Sequence, residues 1–131
     1  MIGLDTHVLV RYLTEDDPAQ ARKAAQCINS VVARGERCFV SPIVLCELSW
    51  VLLGAYEVSK DDLVLTIDRL LATSQFTIGD KDVVRQALEA YRAGRADFAD
   101  YVIGVLGQSA GCQSTATFDR RLRRDSRFQL L

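Results

Sequence analysis

Histidine, proline and tryptophan are scarce in this 131-residue chain, with one His, two Pro and one Trp. With His7 as the sole histidine, no Ser-His-Asp set is available for nucleophilic catalysis. None of the four cysteines sits in a CxxC pair, so no quartet has zinc-finger spacing. Neither GxxxxGK[ST] nor GxGxxG occurs, which removes the common loops that cradle nucleotide phosphates. The longest apolar stretch, Pro42 to Tyr56, is broken by Glu47 and falls short of the ~20 residues a bilayer needs. Met1-Ile2-Gly3-Leu4-Asp5 carries neither a basic n-region nor a cleavable apolar segment, so a cytoplasmic protein with no membrane role is expected. An excess of one charge is missing too: 16 basic against 17 acidic side chains leave −1. That balance excludes histone-like binding of nucleic acid while leaving room for a local basic patch.

What is present is an ordinary soluble composition, 49% apolar and 25% charged, without linker, repeat or compositional break. One globular domain over residues 1–131 is expected, large enough to form a core without staples. Cys27, Cys38, Cys46 and Cys112 read as buried small hydrophobes in a reducing compartment.

Along the chain, residues 2–5 read as a first buried strand. Val8, Leu9, Tyr12 and Leu13 then recur at helical spacing. Asp17-Pro18 starts a helix that Gly35 stops. Cys38–Val40 is a short strand, Ser41-Pro42 opens a helix to about Tyr56, and Ser59 caps one over about 60–73. Phe76–Ile78 is a strand, Asp80 caps a helix over 81–93, and Asp97 caps another that runs to about Ala110. Cys112–Thr117 and Phe128–Leu131 are further strand candidates, with a helical turn at 120–124 between them. Short apolar strands alternating with longer helices predict an α/β fold, a mainly parallel sheet covered on both faces. In such sheets, sites form beyond the carboxyl ends of the strands.

Four places there carry acids. Asp5 follows the first strand and reads equally as a crevice acid and as an N-cap. Glu47 has Ile43, Val44, Trp50 and Val51 as its helical neighbours. A carboxylate in that setting, on a helix apolar almost all round, points to function; an Arg partner or a solvent-facing position is the alternative. Asp97 and Asp100 share one face of a helix start, where the dipole alone would favour them. Asp119, after Thr117-Phe118, caps the turn at Arg120–Arg124 or serves a site. Hard oxygen donors without a Cys/His cluster point to Mg²⁺, with Mn²⁺ as a substitute. A divalent ion relieves repulsion between clustered carboxylates and promotes attack on a phosphodiester. An aspartyl-phosphate phosphatase using Asp5 is the alternative chemistry, disfavoured because His7 stands where a second Asp is expected.

The run Ile2-Gly3-Leu4-Asp5-Thr6-His7-Val8-Leu9-Val10-Arg11-Tyr12-Leu13, then Val44-Leu45-Cys46-Glu47-Leu48, Asp97-Phe98-Ala99-Asp100-Tyr101-Val102-Ile103 and Thr117-Phe118-Asp119 resembles the PIN-domain ribonucleases, specifically the VapC-type toxins of prokaryotic toxin–antitoxin pairs. The resemblance covers essentially the whole chain. It implies a three-layer α/β/α sandwich and a Mg²⁺- or Mn²⁺-dependent endoribonuclease, usually a homodimer, inhibited by a VapB-type antitoxin. By this likeness Asp5, Glu47, Asp100 and Asp119 are the four acids, with Asp97 able to share the third role. Thr6 and Thr117 match the small hydroxyl positions beside the first and last acids, where they would orient carboxylates. The family often has Asn where this chain has His7, which reads here as a half-buried helix-start histidine or as a contact to phosphate or carboxylate. Arg120, Arg121, Arg123 and Arg124 are candidate RNA phosphate contacts, or else a solvated face paired with Asp119 and Asp125. A catalytically inactive RNA- or protein-binding module on the same fold is the alternative function.

Overall fold

The computed structural model describes all residues 1–131. The chain forms two compact parts, Met1–Gly79 and Asp80–Leu131.

The first part holds β1 (Ile2–Gly3), α1 (Thr6–Thr14), α2 (Pro18–Ala33), β2 (Cys38–Val40), α3 (Pro42–Gly54), α4 (Lys60–Ala72) and β3 (Phe76–Ile78). Its sheet is wholly parallel, in the order β1-β2-β3. Ile2 pairs with Cys38, and Cys38 with Phe76. The central strand is the most buried, Cys38 and Val40 being fully inaccessible. Parallel pairing demands crossovers, which the helices supply. Their apolar stripes (Leu9 and Val10 on α1, Ile28 and Val31 on α2, Leu45 and Leu48 on α3, Leu63 and Ile67 on α4) fill the core. Helix starts follow the cap chemistry. Asp17, Ser41 and Ser59 accept from Gln20 N, Val44 N and Asp62 N at 3.1, 3.2 and 3.1 Å.

The second part holds α5 (Lys81–Ala93), α6 (Phe98–Ser109), β4 (Thr115–Thr117), a 3₁₀ turn at Arg120–Leu122 and β5 (Phe128–Leu130). β4 and β5 pair in parallel, Thr115 with Phe128 and Thr117 with Leu130. α5 packs on α6 through Leu88, Tyr91, Phe98 and Val102, with Tyr91 and Phe98 meeting edge to face at 6.1 Å.

The α/β class with parallel strands is as the sequence predicts, but details differ. β1 spans two residues, both exposed, because Leu4 leaves the ladder after one further bond to Phe39 O. β4 starts only at Thr115, since Gly111 turns with φ 95° and Cys112 is exposed. Of the cysteines only Cys38 is fully buried. Asp80 occupies the cap position of α5 in a left-handed conformation, φ 45°, and makes no side-chain cap bond. No helix is long and apolar enough to cross a membrane.

Candidate active site

In the first part the chemistry collects where β1 gives way to α1. Asp5 is exposed and caps α1, its Oδ1 accepting from Thr6 N at 2.8 Å. Thr6 is only 3% exposed, and its Oγ1 donates to Glu47 Oε1 at 2.7 Å. One buried threonine therefore links the first acid's helix to the second acid's, with its amide on Asp5 and its hydroxyl on Glu47. Glu47 itself is exposed, which corrects the inference drawn from its apolar helical neighbours. α3 leaves Ile43 and Trp50 exposed too, at 73% and 54%, so the face that carries Glu47 is an apolar surface rather than core. Next to it, burial pushes the Cys46 thiol up to about 11, and the Glu47 carboxylate adds to the shift. That thiol stays protonated and is no nucleophile at neutral pH.

His7 is exposed rather than half-buried, and its side chain makes no hydrogen bond or ion pair. With Arg11, Lys23 and Cys27 it lines a cavity of about 320 Å³ between α1 and α2. Arg11 is committed elsewhere: it donates to Gln20, Asp16 and Tyr56 at 2.7, 3.2 and 3.0 Å. The Tyr56 hydroxyl donates to Asp16 at 2.7 Å and leads the causes that hold that carboxyl below its ordinary range.

In the second part three acids gather on one cation. Asp100, at the third position of α6, accepts from Asp97 N at 2.9 Å through Oδ2. This fixes the helix start so that Asp97 and Asp100 share a face. Asp119 precedes the 3₁₀ turn, its Oδ1 accepting from Arg121 N at 2.9 Å. The turn brings the Arg121 side chain back onto the same acid, with Nε at 3.0 and 3.1 Å from the two oxygens and Nη2 at 2.7 Å. The guanidinium also reaches Asp97 Oδ1 and Asp100 Oδ2, each at 3.5 Å. Hydrogen bonding from Arg121 holds the Asp119 carboxyl below its ordinary value, and the same bonds push the arginine further up. Thr117 Oγ1 accepts from Asp119 N at 3.0 Å, so it holds the backbone of the fourth acid and not its carboxylate.

The run of four arginines thus divides. Arg121 is the carboxylate partner, Arg123 donates to Arg120 O at 2.9 Å, and the Arg120 and Arg124 side chains have no partner. Arg127, which the sequence did not single out, pairs with Asp125 at 3.0 Å and faces the same cavity as Arg121 and Arg124. Its only signal in the sequence is an Asp two residues earlier, the spacing that also joins Asp119 to Arg121.

In neither part do three carboxylates converge as a ready cation cage. The donor set nevertheless fits a hard divalent ion, being all carboxylate oxygen. In the second part a guanidinium already stands as the shared cation of three acids.

Asp5 and Asp119 thus stand just after parallel strands, and Asp97 and Asp100 at the start of a helix. The chain belongs to the PIN domain family, whose profile matches residues 2–126. It is also 25% identical over 121 residues to a VapC ribonuclease of Aquifex aeolicus, across 92% of this chain and 89% of that protein.

Proposed function

We propose that the chain is a metal-dependent endoribonuclease that hydrolyses RNA phosphodiesters, the toxin of a type II toxin–antitoxin pair. The observation that carries this reading is the gathering of Asp97, Asp100 and Asp119 on a single cation in a PIN domain. Likeness to a VapC ribonuclease over nearly the full length supports it. Because the family match runs from residue 2 to 126, we read 1–131 as one nuclease domain.

Asp5, Glu47, Asp100 and Asp119 are the proposed ligand acids for Mg²⁺ or Mn²⁺, with Asp97 available to share the third role. When bound, the ion supplies a Lewis acid that favours attack on the phosphodiester and offsets its charge. Thr6 holds Glu47 in place through its buried hydroxyl, and Asp100 fixes the start of α6 through Oδ2, the oxygen that Arg121 also reaches. Thr117 steadies the backbone that offers Asp119. No side chain need act as nucleophile. Hydrolysis by water along this route leaves 5′-phosphate and 3′-hydroxyl ends.

As partners the reading takes RNA, a VapB-type antitoxin and a second copy of the chain, all in the cytoplasm. The exposed Ile43 and Trp50 on α3 support a protein-binding face. The complete acid set argues against an inactive binding module. The test is cleavage of an end-labelled mixed RNA pool with Mn²⁺, Mg²⁺ or EDTA, beside an identically prepared Asp5→Asn twin. Cleavage that needs metal and is lost in the twin is expected. RNA bound tightly without metal and never cut would replace this reading with the binding module.

A further inference from the structure

In Asp80–Leu131 one residue belongs to two features. On one side Arg121 contacts Asp97, Asp100 and Asp119. On the other it lines a cavity of about 370 Å³ together with Arg124, Arg127 and Gly94. Arg127 is balanced by Asp125, whereas Arg124 carries an uncompensated charge into that cavity. A single monovalent cation leaves the three carboxylates short of two charges, and a divalent ion of hard character suits them better. The bonds to Asp97 and Asp100 are long, and Arg121 is about half exposed, so little holds it beyond Asp119. A guanidinium displaced from carboxylates needs another anion, and its planar fork matches phosphate as well as carboxylate.

Resting on the nuclease reading, we propose that Arg121 is an exchanging cation. It bridges Asp97, Asp100 and Asp119 in the metal-free chain, yields them to a divalent ion, and then binds an RNA phosphate in the cavity it shares with Arg124 and Arg127. Metal loading thereby switches on a phosphate site, and RNA binding and metal binding reinforce each other.

The first measurement is Mn²⁺ affinity by electron paramagnetic resonance, for the wild type, Arg121→Gln and Arg85→Gln. Arg85 is exposed on α5 without a partner and controls for the lost charge. Mn²⁺ should bind at least about threefold more tightly to Arg121→Gln, the size of an exposed ion pair removed, and unchanged to Arg85→Gln. The second is anisotropy of a short fluorescent single-stranded RNA, read by stopped flow before the probe is cut, so that every acid stays in place. Adding Mn²⁺ should steepen the salt dependence by about 0.7 in log–log slope, one phosphate contact on a single strand. That increment should vanish in Arg121→Gln and Arg124→Gln. Arg121→Lys keeps the charge without the fork and should fall between wild type and Arg121→Gln in both assays, which serves if the glutamine variant does not fold. Wild-type Mn²⁺ affinity in Arg121→Gln, or a salt slope indifferent to Mn²⁺, overturns the proposal. A wild type that shows both signatures yet cuts no RNA overturns the nuclease reading alone.

Discussion

The two parts of the chain place their acids by opposite means. In Met1–Gly79, Asp5 and Glu47 are held by neutral donors, the amide and hydroxyl of one buried threonine, with no cation in contact. In Asp80–Leu131, three carboxylates are held around Arg121. A neutral donor fixes geometry and leaves the negative charge in place, whereas a guanidinium fixes geometry by cancelling it. On the proposed function, acids of the first kind would take a cation directly, and acids of the second kind would exchange Arg121 for it.

Removing an acid from either part tests whether both serve one reaction. Asp5→Asn and Asp119→Asn should each lower metal-dependent RNA cleavage by about 100-fold or more, beyond what loss of a mere supporting contact costs. If only one of the two variants lost activity in a cleavage assay, the acids of the other part would be caps and no more.

The neutral anchor comes next. Thr6→Val keeps the shape and removes the hydroxyl that holds Glu47. A fall of about tenfold in kcat with KM unchanged is expected, the lower end of what supporting contacts to ligand acids cost. Thr6→Ser should restore most of it. A purely structural role would instead lower stability in urea melts equally for valine and serine and leave kcat alone.

The sequence carries the helix starts plainly, because Asp17-Pro18, Ser41-Pro42 and Ser59 cap through local chemistry that needs no tertiary context. Strand lengths were less legible. An apolar run reports burial, but the ladder stops short of it, after Gly3 in β1 and before Thr115 in β4. Asp5 and Asp119 could be placed after their strands by order alone. Glu47 could not be oriented, since an α3 that exposes Ile43 and Trp50 defeats the rule that apolar neighbours mean burial. Nor does composition separate Arg121 from Arg120, Arg123 and Arg124. Only the 3₁₀ turn brings that one guanidinium back onto Asp119.

The start of α6 sets where Asp97 and Asp100 stand, and a buried contact governs it. Ala96 N donates to the Tyr101 hydroxyl at 3.2 Å. Tyr101→Phe would strand that amide, which should cost about 1–3 kcal/mol in urea unfolding. Gly94→Ala should cost a similar amount by overpacking, because a Cβ there would run into the Tyr101 hydroxyl. Equal stability of both variants and wild type would mean that the acids of α6 do not depend on this anchor.

The smallest effect is the pH response of the charged anchor. Asp119 titrates below its ordinary value because Arg121 donates to it. A carboxyl depressed in the folded chain contributes stability that is fully present above its unfolded value, near 3.9, and is lost as pH falls through the folded one. The loss should amount to less than about 1 kcal/mol, the range of exposed ion pairs. In Met1–Gly79, Glu36 behaves with the same sign: the Met1 ammonium and Arg34 hold it down to about 2. Acid destabilisation alone therefore does not separate the two parts. The difference between wild type and Arg121→Gln does, since Glu36 is common to both chains. Thermal melts from pH 6 to pH 2 should show the wild type's advantage over Arg121→Gln shrinking below pH 4, and 1 M salt should shrink it at every pH. An advantage that persists unchanged at pH 2 would mean that Arg121 stabilises by packing rather than by charge, and the contrast between neutral and charged anchors would fail.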